Sequence, residues 1–337
     1  MDLLLFCNAS TTALNFANSA HVFSSCVVIH QTMSRKGAIH NSVRLTDFLA
    51  GLRIKEQKGK PDLSEIESLR KRIHEGNIKV YQFEAKYYEM IHDEIYGRYE
   101  QKRIQSMLKR INQLIVGNQK KALDVGPGAG NLTGKLLQMG FRVTAVDISP
   151  EMCSILKKKF KNYWEDNMLK VINSPIEDTN FNEQEFDLIA CYSTLHHLPD
   201  YETVIHKLSA FLKKGGIMYL DHEGITYSSK PSKIERLAAF IHFAFNWRLN
   251  RLFLKIKGVS VPSIDHIDYS LSDYWAFDEH KIDHNKIKRV FVKENYSLFQ
   301  RIDYHLNRSW IFSPTFYLFK YFSRPDYALW IARKKFL

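Results

Sequence analysis

Cysteine is scarce in this chain of 337 residues: Cys7, Cys26, Cys153 and Cys191 are scattered, and no two form a C-x-x-C pair. That usage excludes a disulfide framework and a clustered zinc site, and it fits a reducing, cytoplasmic setting. Long apolar runs are missing as well. No stretch approaches the roughly 18 apolar residues of a membrane span. The short patch Leu3 to Phe6 follows Asp2 with no basic residue before it, unlike a secretory signal. Internal repeats and low-complexity tracts are absent, which removes solenoids and arrays. Acidic residues are outnumbered: 36 Asp and Glu against 48 Lys and Arg leave a net charge of +12. An anionic partner (nucleic acid, acidic lipid or a phosphorylated substrate) therefore has to be weighed against a plain basic enzyme.

What is present is ordinary for a soluble globular protein: 45% hydrophobic and 25% charged residues, enough for one large core or two modest ones. Residues 1–60 read as irregular, being rich in Ser, Asn, Thr and Ala without periodicity over the first forty. Residues 61–118 read as a helical cap. Ser64 and Glu67 make a capping-box pattern, and Ile66, Leu69 and Ile73 give one apolar face. A second helical region from Tyr81 to Ile115 carries Tyr81, Phe83, Tyr87, Tyr88, Tyr96 and Tyr99 and is interrupted at Gly97. These aromatics are either core or a lid over a site, with Tyr87 and Tyr88 the lid candidates.

From residue 119 to 223 short apolar runs alternate with helical patterns: strands at Ala122–Val125, Phe141–Asp147, Lys170–Asn173, Phe186–Tyr192 and Ile217–Leu220. That alternation predicts an α/β fold with a mostly parallel sheet and helices on both faces. Residues 224–277 form an insert dominated by one apolar helix over Ile234–Lys257, with Ser272–Trp275 also helical. Residues 278–337 supply a helix to Lys293 and two last strands, Tyr296–Leu306 and Ala328–Lys334, joined by an aromatic segment from Trp310 to Phe322.

The chain is organised around Ala122-Leu-Asp-Val-Gly-Pro-Gly-Ala-Gly-Asn131. A buried strand, a glycine turn and a helix start place free N–H groups and the positive end of a helix dipole at one point, where a nucleotide-type ligand can approach the backbone. The Gly-x-Gly-x-Gly spacing departs from the dinucleotide fingerprint Gly-x-Gly-x-x-Gly. Asp147 ends the second strand about 20 residues later, where a carboxylate accepts from ribose hydroxyls. The fourth strand runs into Ser193-Thr-Leu-His-His-Leu-Pro-Asp200.

Together these motifs resemble the class I S-adenosylmethionine-dependent methyltransferases, and among them the small-molecule, quinone-methylating branch. The resemblance covers roughly residues 80–223. It implies a Rossmann-like sheet of seven strands, the last antiparallel and inserted beside the sixth, and S-adenosyl-L-methionine as cofactor. Position by position, it implies that Asp124 supports the glycine turn and the cofactor's amino-acid end, and that Gly126, Gly128 and Gly130 line the turn. Asp147 would hold the ribose and Ile148 pack on adenine. The usual adenine-side aspartate falls at Pro175, leaving the segment to Asn173, Ser174, Ile176 and Glu177. Tyr192 and Ser193 would flank the methionine part.

The glycine turn also reads like that of ribosomal-RNA adenine dimethyltransferases. Those enzymes need an Asn/Asp-Pro-Pro/Leu-aromatic motif after strand 4 to hold and stack a flipped base, and here that place reads Cys191-Tyr192-Ser193-Thr194. Nucleic acid is therefore disfavoured as substrate. A small or lipid-like acceptor is expected, methylated at oxygen, nitrogen or activated carbon; a protein that binds the cofactor without turnover is the competing class. His222, His197 and His196 lie past the ends of strands 4 and 5 and are the candidate bases, with His222 and Glu223 best placed; the His196-His197 pair also has a structural reading as a helix-opening motif. No carboxylate cluster calls for a metal. Phe240 and Trp247 of the insert are candidate lid residues over an apolar substrate, and the neighbouring Arg and Lys residues suggest contact with a membrane surface.

Overall fold

Strands β1 (Lys121–Val125), β2 (Arg142–Asp147), β3 (Leu169–Asn173), β4 (Phe186–Tyr192), β5 (Leu212–Gly224), β6 (Tyr296–Tyr304) and β7 (Tyr327–Lys334) form one sheet in the order β3-β2-β1-β4-β5-β7-β6. The first five run parallel, and β7 pairs antiparallel with both β5 and β6. The structure, a computed structural model, describes residues 63–117, 119–227, 229–256, 258, 269–275, 282–307 and 314–336.

Side chains alternate across the sheet with a period of two. Leu123, Val125, Ile189, Cys191, Met218 and Leu220 enter one apolar layer. Ala122, Leu188, Ala190, Ile217 and Tyr219 enter the other. Because both faces of β1 and β4 are buried, these strands read as continuous apolar runs. The helices are α1 (Leu63–Glu84), α2 (Tyr88–Ile91), α3 (Asp93–Tyr96), α4 (Arg98–Leu114), α5 (Asn131–Gln138), α6 (Pro150–Lys159), α7 (Lys161–Glu165), α8 (Tyr201–Phe211), α9 (Lys233–Ile256), α10 (His284–Lys293) and α11 (Pro314–Phe322). Their starts follow capping chemistry. Ser149 accepts from the Met152 N–H with Pro150 at the first helical position, Asp200 accepts from Thr203, and Asp283 from Asn285. No described helix is long and apolar enough to cross a membrane.

Register brings the carboxyl ends of five strands to one edge. Val125 lies beside Val146 and Cys191, Asp147 beside Asn173, and Tyr192 beside Asp221. Everything chemical in the chain converges there.

Several expectations change in detail. α1 runs on to Glu84, and its inward face is Ile73, Asn77, Val80 and Glu84, whereas Ile66 is exposed because the first turns project beyond the core. Ser64 falls inside the first turn and does not cap it. β5 begins at Leu212 with no intervening turn; its register against β4 slips between Leu212 and Ile217, where Gly215 has a positive φ of 74°. Ser270–Trp275 form turns in place of a helix. Between β6 and β7 the aromatic segment contains α11. The irregular segment expected over residues 1–60 lies outside the described residues.

Candidate active site

The glycine turn opens where β1 ends. Gly126 has φ of 64°, and a Cβ there would stand 2.6 Å from the Thr194 side chain, so only glycine fits. Thr194 in turn donates from Oγ1 to the Val125 carbonyl at 3.1 Å, tying the β1 turn to the β4 turn. The Gly128 N–H donates to Asp147 Oδ2 at 3.1 Å, and the Ser149 N–H to Oδ1 at 2.9 Å. Asp124 accepts from the Thr133 hydroxyl at 2.6 Å, fixing the first turn of α5.

Above this turn lies a cleft that opens to solvent. Its floor is Gly126, Pro127 and Gly128, and its walls include Asp124, Asp147, Ile148, Ser174 to Glu177, Tyr192, Ser193 and Thr194. Its roof is His74, Asn77, Tyr81 and Tyr88. The two floor carboxylates are held high by burial. Asp124 reaches about 7, the Thr133 hydrogen bond opposing and the Asp147 charge adding to the rise. Asp147 reaches about 6 against the pull of its two N–H donors. Each oxygen retains a lone pair for a hydroxyl or ammonium donor.

The roof is stitched across the cleft. On α1, Arg70 bonds Asp178, and His74 lies 3.5 Å from Glu177. Farther along, Asn77 donates to the His197 carbonyl at 3.1 Å, and the Tyr81 hydroxyl meets His197 Nε2 at 2.9 Å. The other ring nitrogen, Nδ1, sits 2.6 Å from the Ser272 carbonyl, which can only accept. His197 therefore carries its proton on Nδ1, and Nε2 accepts from Tyr81. Burial and the neighbouring His196 charge push His197 well below the ordinary histidine range, while burial raises Tyr81 well above the ordinary phenol range. Both stay neutral. Tyr88 packs edge-on to Tyr81 and beside Gly128, so His74, Tyr81 and Tyr88, spaced by seven, present one face to the cleft.

The structure redistributes the predicted site residues. Asp124, Gly126, Gly128, Asp147, Ile148, Ile176, Glu177, Tyr88, Tyr192, Ser193 and His197 all line the cleft. Gly130 does not; its missing Cβ makes room for Phe160 and Leu156 of the packing below. Nor does His222 line it. That residue has φ of 64°, is stacked between Tyr192 and Tyr327, and its Nδ1 lies 3.2 Å from Ser193 Oγ. Glu223 is a buried brace: Oε1 accepts from the Thr194 and Leu195 N–H groups, and Oε2 pairs with His196 Nδ1 at 2.8 Å. His196 is thereby carried above its ordinary value despite burial, and it also stands outside the lining. Tyr87 lies outside the cleft, with Lys86 near its ring. Phe240 is exposed on α9, and the Trp247 side chain lies outside what is described. α1 and its continuation stand over the cleft, whereas α9 packs on α11 and supplies none of the lining residues.

Sequence reasoning missed His74 and Asn77, and held Tyr81 only as one of the helical aromatics read as core or lid. The signal was there, in polar residues set on the buried face of an otherwise amphipathic helix. It also missed the paired positive φ angles of Ser193 (54°) and His222 (64°), rare for residues with a Cβ and found at adjoining strand ends. Among the described residues, His196, His197 and Asp273 bring three metal-ligand atoms within 4.8 Å of one another. Both nitrogens of His197 are already bonded, so ligation there would break the Tyr81 and Ser272 contacts.

Comparison with known proteins follows this geometry. A family model described as a methyltransferase domain matches residues 123–220. Residues 123–220 are thus similar to a methyltransferase domain. The ubiquinone biosynthesis O-methyltransferase of Coxiella burnetii is 36% identical over 115 residues, which is 33% of this chain and 47% of that protein. The enzyme of the same description from Haemophilus ducreyi is 34% identical over 108 residues, 30% of this chain and 44% of that one. The chain thus spans about half the length of the curated relatives it matches. The phosphoethanolamine N-methyltransferase 2 of Haemonchus contortus, solved with phosphomonomethylethanolamine and S-adenosylhomocysteine, superposes with a TM-score of 0.51 at 13% identity. It covers 79% of this chain and 60% of that one, a likeness of fold. The family model ends before α9 and α11 and begins after α1, which all lie outside residues 123–220.

Proposed function

We propose that this protein transfers a methyl group from S-adenosylmethionine to a small or lipid-like acceptor with an apolar body. The observation that carries the reading is the cleft itself, floored by the glycine turn with its two buried carboxylates and roofed by the Tyr81–His197 pair. The floor fits the cofactor. A Cβ at Gly126 would close the turn, and Asp147 and Asp124 offer acceptors for ribose hydroxyls and an ammonium group. Ile148 supplies an apolar wall for adenine, beside Ser174, Pro175 and Ile176 in place of the usual aspartate.

When bound, the cofactor supplies an electrophilic methyl group on a sulfonium. The protein's own contribution is alignment and exclusion of water, which supply much of the rate in such a displacement. Tyr81 is fixed by His197, and His197 by the Ser272 carbonyl, so the phenol oxygen is presented in one orientation. An acceptor hydroxyl donating to the Tyr81 oxygen can pass its proton there as the Tyr81 proton moves to His197 Nε2. The acceptor oxygen gains the methyl, the carbon–sulfur bond breaks, and imidazolium and phenol remain. Because His197 is held neutral it is a modest base, suited to an acidic phenol or enol more than to an alkyl alcohol.

A base-flipping role is disfavoured by β4, which runs into Cys191-Tyr192-Ser193-Thr194 with no amine-binding Asn/Asp-Pro motif; the Tyr192 ring stacks on His222 and its hydroxyl donates to Glu100 at 2.8 Å. The test is release of S-adenosylhomocysteine from labelled cofactor over a panel of phenols, quinols, amines and apolar extracts. Tight cofactor binding without release on any acceptor would assign the protein to the non-catalytic class instead.

A further inference from the structure

Helices α9 and α11 pair with each other: His242 stacks on Phe319 with centroids 5.0 Å apart, and Phe243 joins the same cluster. One side of α9 is apolar and exposed. Ile234 and Leu237 are each 59% exposed, Leu252 53%, and Ile241 and Phe245 36%. These positions fall on one stripe at helical spacing, beside the buried flank of Ala238, His242 and Asn246. Surface residues of this size are normal singly, but a continuous stripe along a long helix marks an interaction surface.

The charges around the stripe decide what it fits. Lys233, Arg248 and Lys255 on α9 and Lys320 on α11 are exposed. The single carboxylate on either helix, Glu235, is turned aside and held by Arg324 at 2.8 Å. An apolar stripe edged by cations and lacking anions is complementary to a surface with an apolar interior and a negative skin. A second copy of the chain would instead bring like charges together, since a two-fold contact sets the same patch against itself. With charges along its length, α9 cannot span a bilayer; it has the composition of a helix that lies in the interface plane.

We propose that the exposed face of α9 docks on an anionic membrane surface, with Ile234, Leu237 and Leu252 entering the acyl boundary and Lys233, Arg248 and Lys255 meeting lipid headgroups. This stands on the helix alone and does not depend on methyl transfer. The test is flotation of the full chain with vesicles of phosphatidylcholine, alone or mixed with phosphatidylglycerol. Binding is expected to the mixed vesicles and to be far weaker without the anionic lipid. The triple variant Lys233→Glu, Arg248→Glu, Lys255→Glu is expected to lose roughly fivefold or more per position. Leu237→Glu with Leu252→Glu is expected to abolish binding while the melting temperature and cofactor affinity stay near the parent's, since these side chains are exposed. Absence of flotation with mixed vesicles, or flotation that both variants retain, would overturn the proposal. So would a concentration-dependent dimer in sedimentation velocity that the glutamate variants dissolve, which would assign the face to a second copy.

Discussion

Replacing Asp124 by Asn should make the protein more stable at pH 8 and worse at holding its cofactor. The carboxyl is 1% exposed and is lifted by burial from an ordinary 3.8 to about 7. The folded chain therefore keeps a proton that the unfolded chain releases once the pH passes about 4. Between those two values the folded state binds more protons, so stability falls as pH rises and levels off above about 7. Three pH units at about 1.4 kcal/mol each give a cost on the order of 4 kcal/mol in the fully ionised state. Asn cannot ionise and escapes it. Its carbonyl can still accept from Thr133, and the new amide hydrogens cost about 1–2 kcal/mol without partners. A net gain of about 2–3 kcal/mol at pH 8 remains, or roughly 4–8 °C in melting temperature, crossing zero at about pH 5 and becoming a loss of about 1–2 kcal/mol near pH 4. Cofactor affinity should drop about 10- to 100-fold with loss of a charge-assisted acceptor. Melting curves from pH 5 to 8 for both proteins decide the matter. A variant less stable than the parent at pH 8, or a difference that does not change with pH, would refute the reasoning.

Three other outcomes are expected. Gly126→Ala, forcing a Cβ to 2.6 Å from Thr194 at a positive φ, should abolish cofactor binding measured by calorimetry and cost more than about 1 kcal/mol of stability. Tyr81→Phe should leave cofactor affinity within about threefold but lower turnover about 10- to 100-fold and flatten the acid limb of the pH–rate profile, as expected for loss of a proton path; an unchanged kcat would count against the latch. Glu223→Ala strands two buried N–H donors and the His196 partner, so it should cost about 3–5 kcal/mol in urea unfolding, and Glu223→Gln less than half of that.

The sheet from β1 to β4 was legible because its strands are buried on both faces and punctuated by glycine and capping residues; Asp147, at the end of β2, is read by spacing alone. The cofactor floor was legible for the same reason, since backbone geometry demands particular residues at Gly126 and Gly128. The roof was not. His74, Asn77 and Tyr81 gain meaning only when α1 crosses the edge of the sheet, a long-range placement no local pattern encodes. His222 misled for a related reason: a histidine next to the end of β5 can face either way, and its positive φ turns it between Tyr192 and Tyr327. Phe240 misled because apolar residues on a long helix say how much surface wants covering and not what covers it.

The insertion of β7 between β5 and β6 has a consequence for biosynthesis. β5 is complete at Gly224, but its antiparallel neighbour begins only at Tyr327, roughly a hundred residues later. During translation the parallel half of the sheet, with the whole cofactor floor, can assemble while the free edge of β5 waits. That edge is apolar and unpaired for several seconds at ordinary elongation rates. A nascent chain paused between α9 and β7 would expose it together with the apolar stripe of α9, a state that trigger-type chaperones would be expected to recognise. A stop just before residue 327 would remove β7 and leave the β5 edge unpaired, and should yield an aggregating protein and not a shortened enzyme.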